Sequence, residues 1–480
     1  MRNLCNVALE AAHSRGATYA DIRIIETKNE NIQTRNGRVA NFDQAESLGA
    51  GIRVIANGAW GFASTSKVNK EDIARTAAIA VEIALASAML KKDDIQLTKE
   101  KTYVDFWQTP FVIDPFAVSK DEKLELLFKI DAILRKDKAI RQAFCGMGFK
   151  KERQYLATSE GSFIEQILLR SGAGYSVTAV GNGDNQVRSF PSSFGGQYCT
   201  MGYELINSLH LVDNAERIRK EAVALLKAPV CPSGKKDLIL GGSQLALQIH
   251  ESTGHPTELD RVLGMEESFA GRSFLTQEKF GKLKYGSDIV NLVADGTVPG
   301  GLATVGYDDD AVRAQRWHLV HNGIFCGYQT TRELAGKNAE NKSNGCCRAD
   351  GFSRIPMTRN NNISLMPGAW ELDDLIRDTK DGIYMDFNKS WSIDQMRLNF
   401  QFGCEIGWEI KNGKKTRLVK HPNYQGITPE FWNSCDAICN DKHWVLWGVP
   451  NCGKGEPMQT AEMSHGCSPT RFRNVNVGVR

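Results

Sequence analysis

Residues 228–234, Ala-Pro-Val-Cys-Pro-Ser-Gly, set two prolines and a glycine between two strongly periodic segments. Proline fixes φ and removes a backbone donor, so neither a helix nor a central strand runs through such a stretch. A chain of 480 residues has the length for two or three domains. The break therefore predicts a domain boundary here, with one domain over 1–228 and a second over 235–480.

The two sides differ in pattern. Upstream, residues 2–16, Glu71–Leu90, Ser119–Lys136 and Asp213–Lys227 carry apolar residues at helical spacing, with Ser119 and Glu122 placed as a capping box. Between them, Tyr19–Thr27, Asn31–Phe42, Ser47–Ile55 and 140–190 alternate with period two, as strands do. Asn36-Gly37 and Asn57-Gly58 read as tight hairpin turns. Downstream, strand-like runs dominate, with hairpin turns at Asn322-Gly323 and Asn412-Gly413. The expected class is α+β. An α/β-mixed amino-terminal domain precedes a mostly antiparallel-β carboxy-terminal domain that carries a metal-binding helix.

Composition removes several function classes. The net charge is +3 with no basic run, so the chain lacks the electrostatic footprint of a nucleic-acid binder. No stretch approaches the roughly 18 apolar residues that a spanning helix needs, and the amino terminus has no signal-type apolar core. The 12 cysteines are dilute rather than clustered in a small module, which fits reduced thiols better than a disulfide framework. The expectation is a soluble cytoplasmic protein with no membrane partner.

The chemistry begins after the apolar strand Asp237–Leu240. Gly241–Gly242 leads into Ser243, a candidate N-cap, and then into a helix-forming run ending in His250-Glu251-Ser252-Thr253-Gly254-His255-Pro256. In the familiar zinc helix the two histidines stand four apart, on one face. Here they stand five apart, which in an ideal α-helix rotates the second by roughly 140°. The helix must therefore end or bulge. Gly254 tolerates a left-handed turn and Pro256 disfavours the α region at His255, so the distortion is expected at Gly254. Glu251, beside the first histidine, is placed to take a proton from a metal-bound water. A catalytic zinc site still needs a third protein ligand.

Two further motifs give the chain a family resemblance. Glu258-x-Asp260, Asp308-Asp309-Asp310 and Asn322-Gly323 follow the histidines in order. Pro450-Asn451-Cys452-Gly453-Lys454-Gly455 comes about two hundred residues later. This order resembles the TldD branch of the TldD/PmbA peptidases over nearly the whole chain. The resemblance implies Cys452 as the third zinc ligand beside His250 and His255, with one Zn²⁺ per chain. It also implies hydrolysis of short or unfolded peptides in an enclosed cleft, and a dimer with a second copy or a PmbA-like paralogue. That family includes a companion subunit without the zinc motif. This chain keeps all three ligands and Glu251, which favours the enzyme over the chamber-forming partner. The family commonly has Asp-Asp-Glu-Gly where this chain reads Asp308-Asp309-Asp310-Ala311.

Blander readings stand beside these. Asp308–Asp310 reads as a solvated turn, and His318 and His321, three apart on a strand, should face opposite sides. Glu258 and Asp260 either orient a ligand imidazole or are ordinary loop residues. Cys435, Cys439, His443 and Cys452 could form a structural zinc site, although Phe431, Cys435 and Ile438 at helical spacing suggest a core face. Ser464-His465-Gly466-Cys467 puts a rival thiol and imidazole close to Cys452 in sequence.

Overall fold

The computed structural model describes residues 1–269, 271–338 and 341–479. It mixes helices with many strands, as the sequence predicts. The amino-terminal half is one large sheet. Its main path runs through β1 (Tyr19–Arg35), β2 (Arg38–Ala56), β3 (Ala59–Thr65), β4 (Val104–Gln108), β5 (Ile140–Thr158) and β6 (Phe163–Gly181), in the order β3-β2-β1-β5-β6-β4. Two further strands, β7 (Asp184–Phe190) and β8 (Gln197–Cys199), also pair with β6. The expected Tyr19–Thr27 strand and the first part of the expected Asn31–Phe42 strand form a single 17-residue strand, and the remainder of the latter lies in β2 beyond the Asn36-Gly37 turn. Asn36-Gly37 and Asn57-Gly58 both take the positive φ that such hairpin turns demand.

Alternation gives this sheet two different faces. Ile22, Ile24 and Ile32 of β1 point to one side, which is covered by helices at both ends. Helices α1 (Arg2–His13) and α2 (Lys70–Ala88) cover one end; α3 (Lys120–Leu134) and α4 (Leu211–Leu225) cover the other. Ser119 caps α3, its hydroxyl accepting from the Glu122 amide at 3.2 Å. Asp21 and Arg23 point to the opposite, polar face and are nevertheless buried.

The partners of that polar face lie in the carboxy-terminal half. Asp308, Asp309 and Asp310 are buried, not a solvated turn. Arg23 donates to Asp309 at 3.1 Å, Arg53 to Asp310 at 2.7 Å and to Asp21 at 2.9 Å, and Gln154 to Asp309 at 3.0 Å. The solvated reading failed because the arginines lie more than 250 residues upstream. Burial raises the Asp308 carboxyl, and the neighbouring Asp310 adds to the effect. Burial acts on Asp310 as well, but Arg53 outweighs it and holds that carboxyl low. Removing one member of a buried charge set strands the rest. Arg53→Ala is therefore expected to cost about 3–5 kcal/mol, measured as a lower urea midpoint. An unchanged midpoint would mean that Asp21 and Asp310 are satisfied without it.

The carboxy-terminal half centres on a closed ring of five strands. These are β9 (Gly234–Leu240), β10 (Asp381–Ile393), β11 (Asn399–Lys411), β12 (Asn423–Ile427) and β15 (Thr470–Val477). The ring runs β10-β9-β15-β12-β11 and closes by pairing β11 with β10. All its pairings are antiparallel except β9 with β10. A separate hairpin, β13 (Val445–Lys454) and β14 (Gln459–Cys467), stands beside it. Helix α5 (Gly242–Ile249) leaves β9 directly and carries its chain end toward that hairpin.

Three local readings are corrected. Gly241, not Ser243, is the N-cap of α5, and the Ser243 hydroxyl is buried without a hydrogen-bond partner. His318 and His321 stack edge to face at 4.6 Å rather than facing apart. Their strand bulges between the residues paired with Leu292 and Val293, and one extra residue brings both rings to one side. Cys435 and Ile438 do line the core with Phe431, but Cys435 lies on a strand and not a helix.

Candidate metal centre

Helix α5 does not stop at His250. It widens into a single π turn over His250–Gly254, closed by the His255 amide donating to the His250 carbonyl. A short 3-10 turn, His255–Thr257, follows. A π turn takes in one more residue than an α turn, so the residue five along comes over the first. The expected bulge is present, but its cause differs from the expectation. Gly254 has φ −58°, not a left-handed value, and His255 keeps helical angles of −62° and −40°.

Neighbours hold the distortion by capping the carbonyls it frees. Pro256 brings no N–H to the Ser252 carbonyl, and the Tyr285 hydroxyl donates there at 2.8 Å. The Thr257 hydroxyl reaches the Thr253 and Gly254 carbonyls, each at 2.8 Å, and the Gln329 amide donates to Gly254 at 2.8 Å. Glycine at 254 is required by space. A Cβ would stand 2.9 Å from the Asn360 amide nitrogen, in a network that Asn360 shares with Gln329. Gly254→Ala is expected to cost about 1–3 kcal/mol through this overpacking and to speed metal loss to a chelator. An unaffected variant would show that Asn360 moves freely.

The third donor comes from the hairpin. Along β13 the register jumps between Val449 and Cys452, so Cys452 faces Ala461 and not Thr460. That extra residue turns Cys452 to the same face as Met463 and His465. Arg359 fixes the turn, donating to the Cys452 carbonyl at 2.5 Å and to the Gln459 carbonyl at 3.0 Å.

His250, His255 and Cys452 meet, all buried, with one ligand atom of each within 4.8 Å of the others. The two imidazoles lie edge to face at 4.6 Å, and the Cys452 Sγ stands 3.4 Å from the His255 Nε2. The His255 Nδ1 meets the Glu258 carboxylate at 2.9 Å, which leaves Nε2 on the cysteine side. The His250 Nδ1 is engaged by His465 at 2.8 Å. Two imidazoles held through Nδ1, with Nε2 left on the cluster side, and one thiol make a donor set suited to zinc. Cys467 lies outside this group, its thiol donating to the Gly242 carbonyl at 3.2 Å. His443 pairs with Glu371 instead.

Charge around the cluster is compensated. Lys454 meets Asp260 at 2.7 Å, the Thr358 carbonyl at 2.8 Å and Glu258 at 3.2 Å, while Arg261 donates to Glu258 at 2.8 Å. Burial pushes the Glu258 carboxyl up, but Lys454 and His255 override it and hold it well below the usual range. Burial prevails at Asp260, which is raised despite Lys454. The Cys452 thiol is also pushed up by burial, yet His255 and Arg359 bring it net below its ordinary value. Glu251 pairs with Arg397, a residue that no sequence signal marks. Burial opposes the charge on Glu251, and Arg397 and His250 keep it lowered nonetheless.

A cavity of about 520 Å³ opens onto His250, Glu251, His255 and Cys452. Phe194 from the amino-terminal half contributes to its wall, with Phe269, Trp391 and Val449 from the other half. Two strand edges border it, Trp391–Ile393 of β10 and Val449–Gly453 of β13. Among the described residues β9 covers β10 only at Gly382–Met385, and β13 pairs with β14 alone.

Sequence models of the PmbA/TldA metallopeptidases match three stretches of the chain. These are domain 1 over 20–84, the central domain over 113–228 and the C-terminal domain over 233–479. The chain belongs to the PmbA/TldD metallopeptidase family. A metalloprotease of Methanocaldococcus jannaschii is 29% identical, covering 91% of this chain and 92% of its own. The zinc metalloprotease TldD homolog of Saccharolobus solfataricus is 21% identical over 98% of each. The crystal structure of TldE from Thermococcus kodakarensis shares the PmbA/TldD fold, with a TM-score of 0.74 at 16% identity over 99% of both chains. A Thermotoga maritima protein described as a modulator of DNA gyrase matches with a TM-score of 0.77 at 17% identity, again over 99% of both chains.

Proposed function

We propose that this chain is a zinc-dependent peptidase that hydrolyses short or unfolded peptides in an enclosed cleft. His250, His255 and Cys452 hold the metal, Glu251 is the general base, and Glu258 and Asp260 support the site from behind. One observation carries the reading. Three donors from two distant segments share one buried cluster, at a cavity that also admits Glu251. Bound zinc supplies Lewis acidity and lowers the pKa of water to about 7. Glu251 takes the proton of the attacking water and passes it to the leaving amine. Its pairing with Arg397 holds the carboxylate ionised, as a base requires. Glu258 fixes the His255 ring, and Lys454 spans Glu258 and Asp260.

The edge of β10 that β9 leaves uncovered beside the cavity suits an extended peptide, whose main chain can pair with it. Such recognition reads backbone more than sequence, which fits unfolded substrates. A dimer, with a second copy or a TldE-like paralogue, would enclose the cleft further, and the cytoplasm is the expected compartment. The companion-subunit reading is weaker, because the complete donor set and Glu251 have been kept. No helix is long and apolar enough to cross a membrane among the described residues.

Elemental analysis with a peptide-release assay tests the proposal. About one zinc per chain, hydrolysis of an unfolded reporter that stops on chelation, and recovery on adding zinc are expected. A wild-type chain that neither holds nor takes up zinc would instead be the chamber-forming partner.

A further inference from the structure

His465 is a residue that the proposed chemistry does not use. It is wholly buried, and both ring nitrogens are engaged. Nδ1 lies 3.1 Å from the Ile363 carbonyl and Nε2 lies 2.8 Å from the His250 Nδ1. A carbonyl oxygen only accepts, so the His465 Nδ1 must carry the proton. A second proton on that ring would put an uncompensated cation in the core, beside two further imidazoles, which burial disfavours strongly. Nε2 therefore accepts, and the proton between the rings belongs to the His250 Nδ1. In a neutral His250 ring, the form that a metal ligand takes, Nε2 is then bare.

The backbone on both sides of His465 is fixed to the same neighbouring segment, residues 362–364. The Ser464 amide donates to the Asn362 side chain at 3.0 Å, and the Gly466 amide donates to the Ser364 hydroxyl at 3.3 Å. The ring is thus set in place by residues 362–364 before any metal arrives. With both nitrogens used, His465 has none left to offer as a ligand, so its closeness in sequence to Cys452 does not make it a rival for the metal.

We propose that His465 is a positioning residue, which holds the His250 ring in the orientation and tautomer that present Nε2 to a metal ion. The inference rests on the metal-site reading above. The two histidine ligands then have unlike supports, a carboxylate for His255 and a neutral imidazole for His250. Partners of this kind typically contribute 10–100-fold to metal affinity.

The test compares wild type, His465→Leu and His465→Gln, each loaded with one equivalent of zinc and mixed with a chromogenic chelator. His465→Leu is expected to release zinc roughly 10–100-fold faster. His465→Gln, whose side-chain oxygen can reach the Nε2 position, should stay close to wild type. A leucine variant that holds zinc as well as wild type would overturn the proposal, as would a glutamine variant that fails equally while folding normally. Imidazole ¹⁵N NMR of the metal-free wild type needs no variant. Nδ1–H on both His250 and His465 is expected, and Nε2–H on His250 would overturn it. Because the ¹⁵N measurement is made without metal, a wild type that binds no zinc would defeat the metal reading and leave this result separate.

Discussion

Glu251→Gln is expected to leave zinc in place and to lower kcat by roughly 10²–10⁴-fold, the usual contribution of a positioned general base. Glutamine keeps the size of the side chain, and its oxygen can still accept from Arg397, so the pocket should not rearrange. What it cannot do is take a proton. Zinc content equal to wild type, with hydrolysis reduced to background, is the expected pair of readings. Zinc retained with activity intact would remove Glu251 from the chemistry. Zinc lost would mean that the Glu251–Arg397 pair is needed to build the site.

Cys452→Ser should cost the metal itself. A serine hydroxyl stays protonated at neutral pH and offers zinc no anionic donor, whereas the thiol here is already drawn below its ordinary value. Zinc after gel filtration is expected to fall from about one per chain to near none. Cys467→Ser is the matched control. That thiol is buried against the Gly242 carbonyl, and burial raises it far above its ordinary range. The variant should keep its zinc with at most a small loss of stability. If the two serine variants behaved in reverse, the third ligand would be misassigned.

Much of the fold could be read from local signals. Asn-Gly pairs marked hairpins at 36–37, 57–58, 322–323 and 412–413, and all eight residues have positive φ. Ser119 marked a helix start, because a cap depends only on residues a few positions along. The meeting of His250, His255 and Cys452 was reached by resemblance and not by geometry. What puts Cys452 on the right face is one bulged residue in β13, which no local pattern announces. The Asp308–Asp310 run was misread because its cations lie in β1 and β2. Arg397 was invisible for the same reason, since it is 146 residues from Glu251. The histidine spacing did reveal that the helix must deform. The form of the deformation depends on Tyr285, Thr257 and Gln329, which cap the carbonyls it exposes.

The π turn has a meaning for kinship as well as for geometry. A π turn is an α turn with one residue inserted. His-Glu-x-x-x-His with that insertion and His-Glu-x-x-His without it thus offer nearly the same pair of rings in space. The ruler that measures such sites is the helix turn and not the residue count. A search keyed to the four-residue interval would pass over this chain, although its two imidazoles stand 4.6 Å apart.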